Sequence, residues 1–334
     1  MLSSVDDLLS VARRVFSPES IPRAFLILEA AQRVQGGAEP ASVAASVKTS
    51  AKKLRDVAAA ADPTLAALGV ALADGQAPPF QTKARATLGQ LLLGQLAERT
   101  FEGIYKSRMG TDELRLEDDR ESRSDTDYRV INGQGRQVFR INIKFHGSQF
   151  KNARDMVGLE PSDCFALATY KIHQALLKQD KEVRPYIFVI VGVPDLTGVV
   201  AGQAIPDDLA DLAAVVLASK MPGKRDVEDA IVRHLVEAPQ PQATSAAIDK
   251  FRGQIEAAEW RVLSARKADK LLRTMLFDRV FAVRVRGFAR HYRNAELDMH
   301  FSLSQDLTPV GDFLDVLKSQ GVPGLTGHLE RGLI

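Results

Sequence analysis

The chain has a single cysteine in 334 residues, and that scarcity is its first constraint. One thiol excludes an internal disulfide framework and a cysteine-rich zinc site. Cys164 lies in the apolar run Cys164-Phe165-Ala166-Leu167-Ala168, which reads as the setting of a buried, inert thiol. Neither sign of charge is in excess: 44 Lys and Arg face 42 Asp and Glu, so a nucleic-acid partner has to be sought in local clusters. No apolar run approaches the ~20 residues that cross a bilayer. The first residues also lack a basic segment followed by an uninterrupted apolar core, so no membrane partner is expected and the cytoplasm is the expected compartment. The nucleotide-binding patterns GxxxxGK[ST] and strand-coupled GxGxxG, the zinc-protease pattern HExxH and the nucleophile elbow GxSxG are missing as well.

What is present reads as an α/β protein with an N-terminal helical region. Residues 1–78 are Ala-rich, with helical patterns over 6–16, 23–34, 40–47 and 49–61. The last of these carries Lys52, Lys53 and Arg55 after a turn at Lys48, and together with its predecessor it resembles a helix-turn-helix unit. Plain helical packing accounts for the same pattern. Pro78 and Pro79 mark a boundary, after which 81–109 reads as one long helix in which Glu98 and Glu102 share a face. An acid-rich stretch, 112–127, reads as a solvated loop over 117–121.

Residues 124–150 then form an expected hairpin. Phe139, Ile141, Ile143 and Phe145 alternate with Arg140, Asn142, Lys144 and His146, so the two sets lie on opposite faces of a strand. Asn132-Gly133 opens the turn and Gly135 closes it. Beyond it, 162–178 reads as a helix, 186–193 as a strand buried on both faces, 207–219 and 226–236 as helices, and 246–276 as mostly one helix. A second hairpin is expected from 279–287 and 296–304, followed by a helix over 309–318 and an irregular tail. By composition the chain divides into a helical region at 1–78, an α/β core at 79–237 and an extension at 238–334 that begins with a linker over 238–245.

The first hairpin resembles the PD-(D/E)xK nuclease superfamily, the fold of many restriction and repair endonucleases. Thr126-Asp127-Tyr128-Arg129-Val130 occupies the "PD" strand with Thr126 in place of proline, and Asn142-Ile143-Lys144 occupies the second motif. The helix with Gly94 and Glu98 corresponds to the family's core helix. The resemblance covers roughly residues 94–193. It implies a restriction-endonuclease-like mixed sheet flanked by helices, and a Mg²⁺-dependent DNA endonuclease (with Mn²⁺ as a substitute cation) acting in restriction or anti-phage defence. It further implies that Asp127, Asn142 and Glu98 hold the cation, with Glu102 and Asp125 behind Glu98, and that Lys144 stands at the attacking water. Such a cation, supported by oxygen ligands, acidifies water and offsets charge on the scissile phosphate. Asn142 departs from the pattern, because the family has Asp or Glu there and an amide brings no charge.

DNA contact is expected from His146, Gln149 and Lys151 after the lysine, and from Arg284, Arg286, Arg290 and Arg293 in the second hairpin, where Phe288 and Tyr292 could stack on bases. Glu296, Asp298 and His300 also alternate onto one face, either as a metal cluster or as the wet side of a strand. A homodimer would serve the cutting of both strands, and partner subunits of a defence system are compatible with the resemblance. Two other readings stay open: a catalytically inactive, nucleic-acid-binding relative, and a helical interaction protein that does not touch nucleic acid.

Overall fold

The computed structural model describes residues 4–73, 79–110, 113–119, 126–145, 149–192, 201–282, 297–332 and 334. The chain forms two compact units, one from residues 1–95 with 197–251, the other from 96–196 with 252–334. These do not coincide with the three segments marked by composition, since each unit is assembled from two separate stretches of chain.

The first unit is helical. Helices α1 (Val5–Val15), α2 (Arg23–Gln35), α3 (Pro40–Ser46) and α4 (Ala51–Ala73) are joined by the first half of α5 (Pro79–Met109) and by α8 (Asp207–Ala218), α9 (Lys224–Glu237) and most of α10 (Gln242–Glu256). Local signals start these helices well: Ser4 and Asp7 form a reciprocal capping box on α1, and the Glu39 carboxylate with Pro40 opens α3. Helix α8 is buried from Leu209 to Val216 on every side, as a helix at the centre of its unit must be. Its one buried acid, Asp211, accepts a 2.7 Å hydrogen bond from Gln81 Nε2, and burial pushes its carboxyl up from the ordinary range. Gly89 has a packing reason: a Cβ there would stand 2.7 Å from the backbone nitrogen of Gly202.

The second unit is built on a six-stranded mixed sheet of order β1-β2-β3-β5-β6-β9. Strands β1 (Leu114–Asp118), β2 (Tyr128–Asn132) and β3 (Gln137–Phe145) form an antiparallel meander, and β3 runs parallel to β5 (Tyr186–Gly192). Strand β6 (Glu259–Ser264) is antiparallel to β5, and β9 (Thr308–Pro309) pairs with β6. A smaller antiparallel sheet of order β4-β8-β7 holds Cys164–Ala168, Leu297–Ser302 and Val280–Ala282. The mixed α/β class, the helix-flanked sheet and the N-terminal helical region agree with the sequence reading.

Both faces of the large sheet are covered. On one, Phe101 of α5 stacks near Tyr128 and Trp260, and Phe139 meets Phe313 of α13 (Val310–Glu330) edge to face with centroids 6.0 Å apart. On the other, Tyr186, Phe188, Ile190 and Leu263 pack with Phe165, Leu167 and Phe301 of the small sheet and Ile172 of α7 (Thr169–Glu182).

Several local expectations are corrected. The acid-rich stretch contains β1, and Asp119 is 3% exposed rather than solvated. Strand β4 replaces the first part of the helix expected over 162–178, which begins instead at Thr169. Strand β6 interrupts the long helix expected over 246–276. Helix α4 continues through Pro63 to Ala73 because Val57, Ala58, Ala61 and Leu65 are all buried, which offsets the lost hydrogen bond. The tail expected to be irregular is helical, with a break at Gly321. Among the described residues no helix is long and apolar enough to cross a membrane.

Candidate active site

The hairpin that carries the site is set by its turn. Asn132 Oδ1 accepts hydrogen bonds from the backbone N–H groups of Gln134 (3.1 Å) and Arg136 (2.9 Å), and Gly135 takes the left-handed conformation. From that turn the ladder runs as far as the pair Tyr128–Ile141. There β2 begins, while β3 continues for four more residues paired with β5. Asn142 and Lys144 therefore occupy the overhang, toward the carboxyl end of the parallel β3–β5 pair. Ligands of open α/β sheets bind in crevices at such strand ends.

Asp127 stands at this parting of the strands. Its backbone N–H donates to the Ile141 carbonyl at 3.1 Å, and its Oδ2 accepts the Ile143 N–H at 2.5 Å. The amide it holds belongs to the residue between Asn142 and Lys144, so the Asp127 carboxylate lies alongside both. Asn142 is 6% exposed and in register with Phe188; Lys144 is half-buried and in register with Ile190. Both point to the same face of the sheet, as the alternation requires.

Glu98 is placed differently. Tyr128 Oη donates to the Glu98 main-chain carbonyl at 3.1 Å, and Tyr128 shares its face with Ile141. Helix α5 thus covers the face opposite to Asn142 and Lys144. The structure brings Asp127, Asn142 and Lys144 together and sets the Glu98 backbone across the sheet from them.

Behind the site is an ionic network that sequence reasoning missed. Asp119 lies just before residues 120–125, and Thr126 just after them. Thr126 Oγ1 donates to Asp119 Oδ2 at 2.8 Å, and the Asp119 N–H donates to the Asp127 carbonyl at 2.9 Å. Arg140, two residues before Asn142 on the same face, donates to Asp119 at 2.9 Å and to Thr126 at 2.9 Å. Its other nitrogens grip Glu182 of α7 at 2.8 and 3.0 Å, a two-pronged pairing that holds the Glu182 carboxyl below its ordinary range. Thr126 is thereby an anchor for the backbone entering Asp127. The signal available in the sequence was Arg140, an arginine among the apolar residues of its strand.

Gln149 and Lys151 flank Phe150, whose ring stands edge to face with His300 at 5.6 Å; Lys151 is exposed. His146, Asp125, Arg284, Arg286, Arg290, Arg293 and Glu296 lie outside the described residues. His300 is buried, with Nδ1 3.2 Å from the Arg279 carbonyl, so that nitrogen carries the proton. Among the described residues no group of three or more His, Cys, Asp and Glu side chains is arranged to hold a metal ion. Asp127 and Asn142 supply one carboxylate and one amide oxygen. That donor set fits a hard cation such as Mg²⁺, which keeps several waters and takes phosphate oxygens from its substrate; it does not fit a cation that needs an all-protein cage. The Cys164 thiol is pushed up to about 11 by burial, as befits an inert group.

Comparison of the chain with protein-family models, with curated proteins and with solved structures gave no match.

Proposed function

We propose that the sheet unit hydrolyses phosphodiester bonds in DNA with a divalent cation, Asp127, Asn142 and Lys144 being the working residues. One observation carries this reading: the Asp127 carboxylate accepts the amide proton of Ile143, which joins Asn142 to Lys144. In this reading a carboxylate, an amide and a lysine share one side of the sheet where β2 parts from β3. The resemblance to the PD-(D/E)xK nucleases supports it, as does the helix-flanked mixed sheet.

In this reading Asp127 and Asn142 hold Mg²⁺, or Mn²⁺ in its place, through their oxygens. The cation, when bound, acidifies a water and draws charge from the scissile phosphate. Lys144 lies ~7 Å along the strand from Asn142 and on its face. Its ammonium orients the attacking water and offsets charge that builds on the phosphate oxygens. Water oxygen bonds to phosphorus as the bond to the leaving sugar oxygen breaks, the attacking water giving up a proton to solvent and the leaving oxygen taking one from it. Glu98 takes part only through a carboxylate that rounds the start of β2, so Glu98→Ala is expected to cost less activity than Asp127→Ala. Restriction or anti-phage defence is the setting the resemblance suggests.

The test is incubation with plasmid and phage DNA, methylated and unmethylated, in Mg²⁺, Mn²⁺ or EDTA. Cutting is expected with metal alone, and Asp127→Ala and Lys144→Ala should each reduce it to the EDTA level while circular dichroism stays unchanged. A variant that cuts at the parental rate removes its residue from the site. Asn142→Asp probes the cation directly. Two carboxylates side by side repel, so this variant should melt lower than the parent in EDTA and recover more on adding Mg²⁺. Recovery no larger than the parent's would take Asn142 off the cation. DNA binding without cutting in any metal would instead select a non-catalytic, DNA-holding relative, which the neutral Asn142 and the lack of a three-group cluster among the described residues would suit.

A further inference from the structure

Three non-glycine residues among those described have left-handed backbone: Lys48 (φ 49°), Val183 (φ 52°) and Lys220 (φ 49°). Two of them are lysines of the helical unit, and both close a helix in the same way. After α3, the Thr49 N–H returns to the Ala44 carbonyl at 3.0 Å and the Lys48 N–H to Ala45 at 3.1 Å. After α8, the Met221 N–H returns to Val216 at 3.3 Å and the Lys220 N–H to Leu217 at 3.4 Å. This pair of bonds is a Schellman cap, whose left-handed position glycine fills without steric penalty. Helix α2 of the same unit follows the rule, with Gly37 at that position (φ 97°). Lysine in its place brings backbone strain, part of which its charge recovers at the negative helix end.

The two turns are neighbours. Lys53 Nζ, in the first turn of α4, donates to the Lys220 carbonyl at 2.8 Å. Arg23 donates to the carbonyls of Val47 and Lys48 and fixes the α3–α4 corner. Lys48, Lys52, Arg55, Lys220 and Arg225 are all exposed. Asp56, Asp226 and Asp229 are the exposed acids beside them, Asp229 facing the charge of Arg225, while Lys224 is taken by Glu228 at 3.1 Å. Two lysine-bearing turns far apart in sequence thus adjoin, beside the corner where α4 follows α3.

We propose that this surface binds the phosphate backbone of duplex DNA, with Lys48 and Lys220 as its two fixed points. Left-handed caps hold each lysine at a rigid helix end, and the Lys53 bond sets the distance between them. An acidic protein would be met by charge alone, whereas a duplex presents phosphates at fixed spacing to a helix corner of this kind.

The experiment measures anisotropy of a labelled short duplex in EDTA over a series of salt concentrations, with the full chain. EDTA removes cutting, so the result does not depend on Asp127, Asn142 and Lys144: binding through these lysines without cutting in metal would sink the phosphodiesterase reading and leave this one intact. Wild type is expected to bind with affinity falling steeply as salt rises. Lys48→Gly and Lys220→Gly together should weaken binding about tenfold at low salt and make the logarithmic salt slope shallower by about two. Both variants should melt no lower than wild type, because glycine relieves the caps. Lys250→Ala, an exposed lysine of the same unit on α10, is the control. The proposal falls if wild type does not bind, if the double variant binds like wild type, if Lys250→Ala costs as much, or if polyglutamate competes as well as unlabelled duplex.

Discussion

Asp119 stands between two arginines, Arg129 and Arg140, that face each other in register across the β2–β3 ladder. Like charges directly opposite would drive the strands apart, and the buried carboxylate holds them together instead. Removing one member leaves charge buried without its partner, which costs more than the pair contributes. Arg140→Met should therefore destabilise the fold by about 3 kcal/mol in urea titrations. Arg140→Lys, which keeps the charge but loses the fork, should fall between the two. A loss under 1 kcal/mol for the methionine variant would mean the network is no anchor. The other end of the fork gives a pH signature. Arg140, whose bonds are the leading cause, lowers the Glu182 carboxyl below its ordinary value of 4.5. A depressed acid stabilises the fold above its unfolded value and loses that contribution as pH falls through the folded value. Unfolding free energy should accordingly drop on acidification below about pH 4.5, and by less in Glu182→Gln. Equal acid slopes in the two proteins would count against it.

Among the secondary elements, the end of α7 is the one held against its own preference. Val183, 77% exposed, closes this helix at φ 52°, where a β-branched side chain is an outlier. No packing recovers the strain at such exposure, so Val183→Gly should stabilise the chain by about 1 kcal/mol. A lower midpoint in denaturant would show that the valine is held by more than its backbone. The elements that sequence patterns revealed are those whose side chains announce them. Alternation gave β3, amphipathic spacing gave α1, Pro22 and Gly36-Gly37 bounded α2, and an apolar run bounded by Pro185 gave β5. Strand β4 was hidden because Cys164-Phe165-Ala166-Leu167-Ala168 has neither alternation nor β-branching, and an apolar run of five suits a helix equally. Strand β6 was hidden by length: Trp260 and Val262 alternate inside a Lys- and Arg-rich stretch whose helical flanks dominate any wider window. In β1 the alternation of Leu114 and Leu116 was present, but five acids around it pointed to solvent.

Over the whole molecule, what the sequence could not show is assembly. The shared face of Asn142 and Lys144 follows from a period of two, and the structure keeps it. That Asp127 reaches the amide between them depends on where β2 stops relative to β3, which is fixed by the network from Asp119 to Glu182 and not by any local pattern. The pairing of residues 1–95 with 197–251 and of 96–196 with 252–334 is likewise a product of long-range packing. Such packing sets a hierarchy of local stability that can be read by hydrogen exchange. Strand β5 lies between β3 and β6 and is buried on both faces from Tyr186 to Val191, so its amides should be the slowest of the sheet unit. Helix α8, buried from Leu209 to Val216, should hold that place in the helical unit. Strand β1 is an edge with no residue fully buried and should exchange fastest of the large sheet. The site lies between these extremes, since β3 beyond Ile141 keeps β5 on one side, while on the other the Asp127 carboxylate takes the Ile143 N–H. That single amide gives the sharpest reading: Asp127→Ala should speed exchange in a peptide spanning 142–145 and leave β5 unchanged. Unchanged exchange at 142–145 would mean that the carboxylate does not hold this amide in solution, and the geometry on which the catalytic proposal stands would go with it.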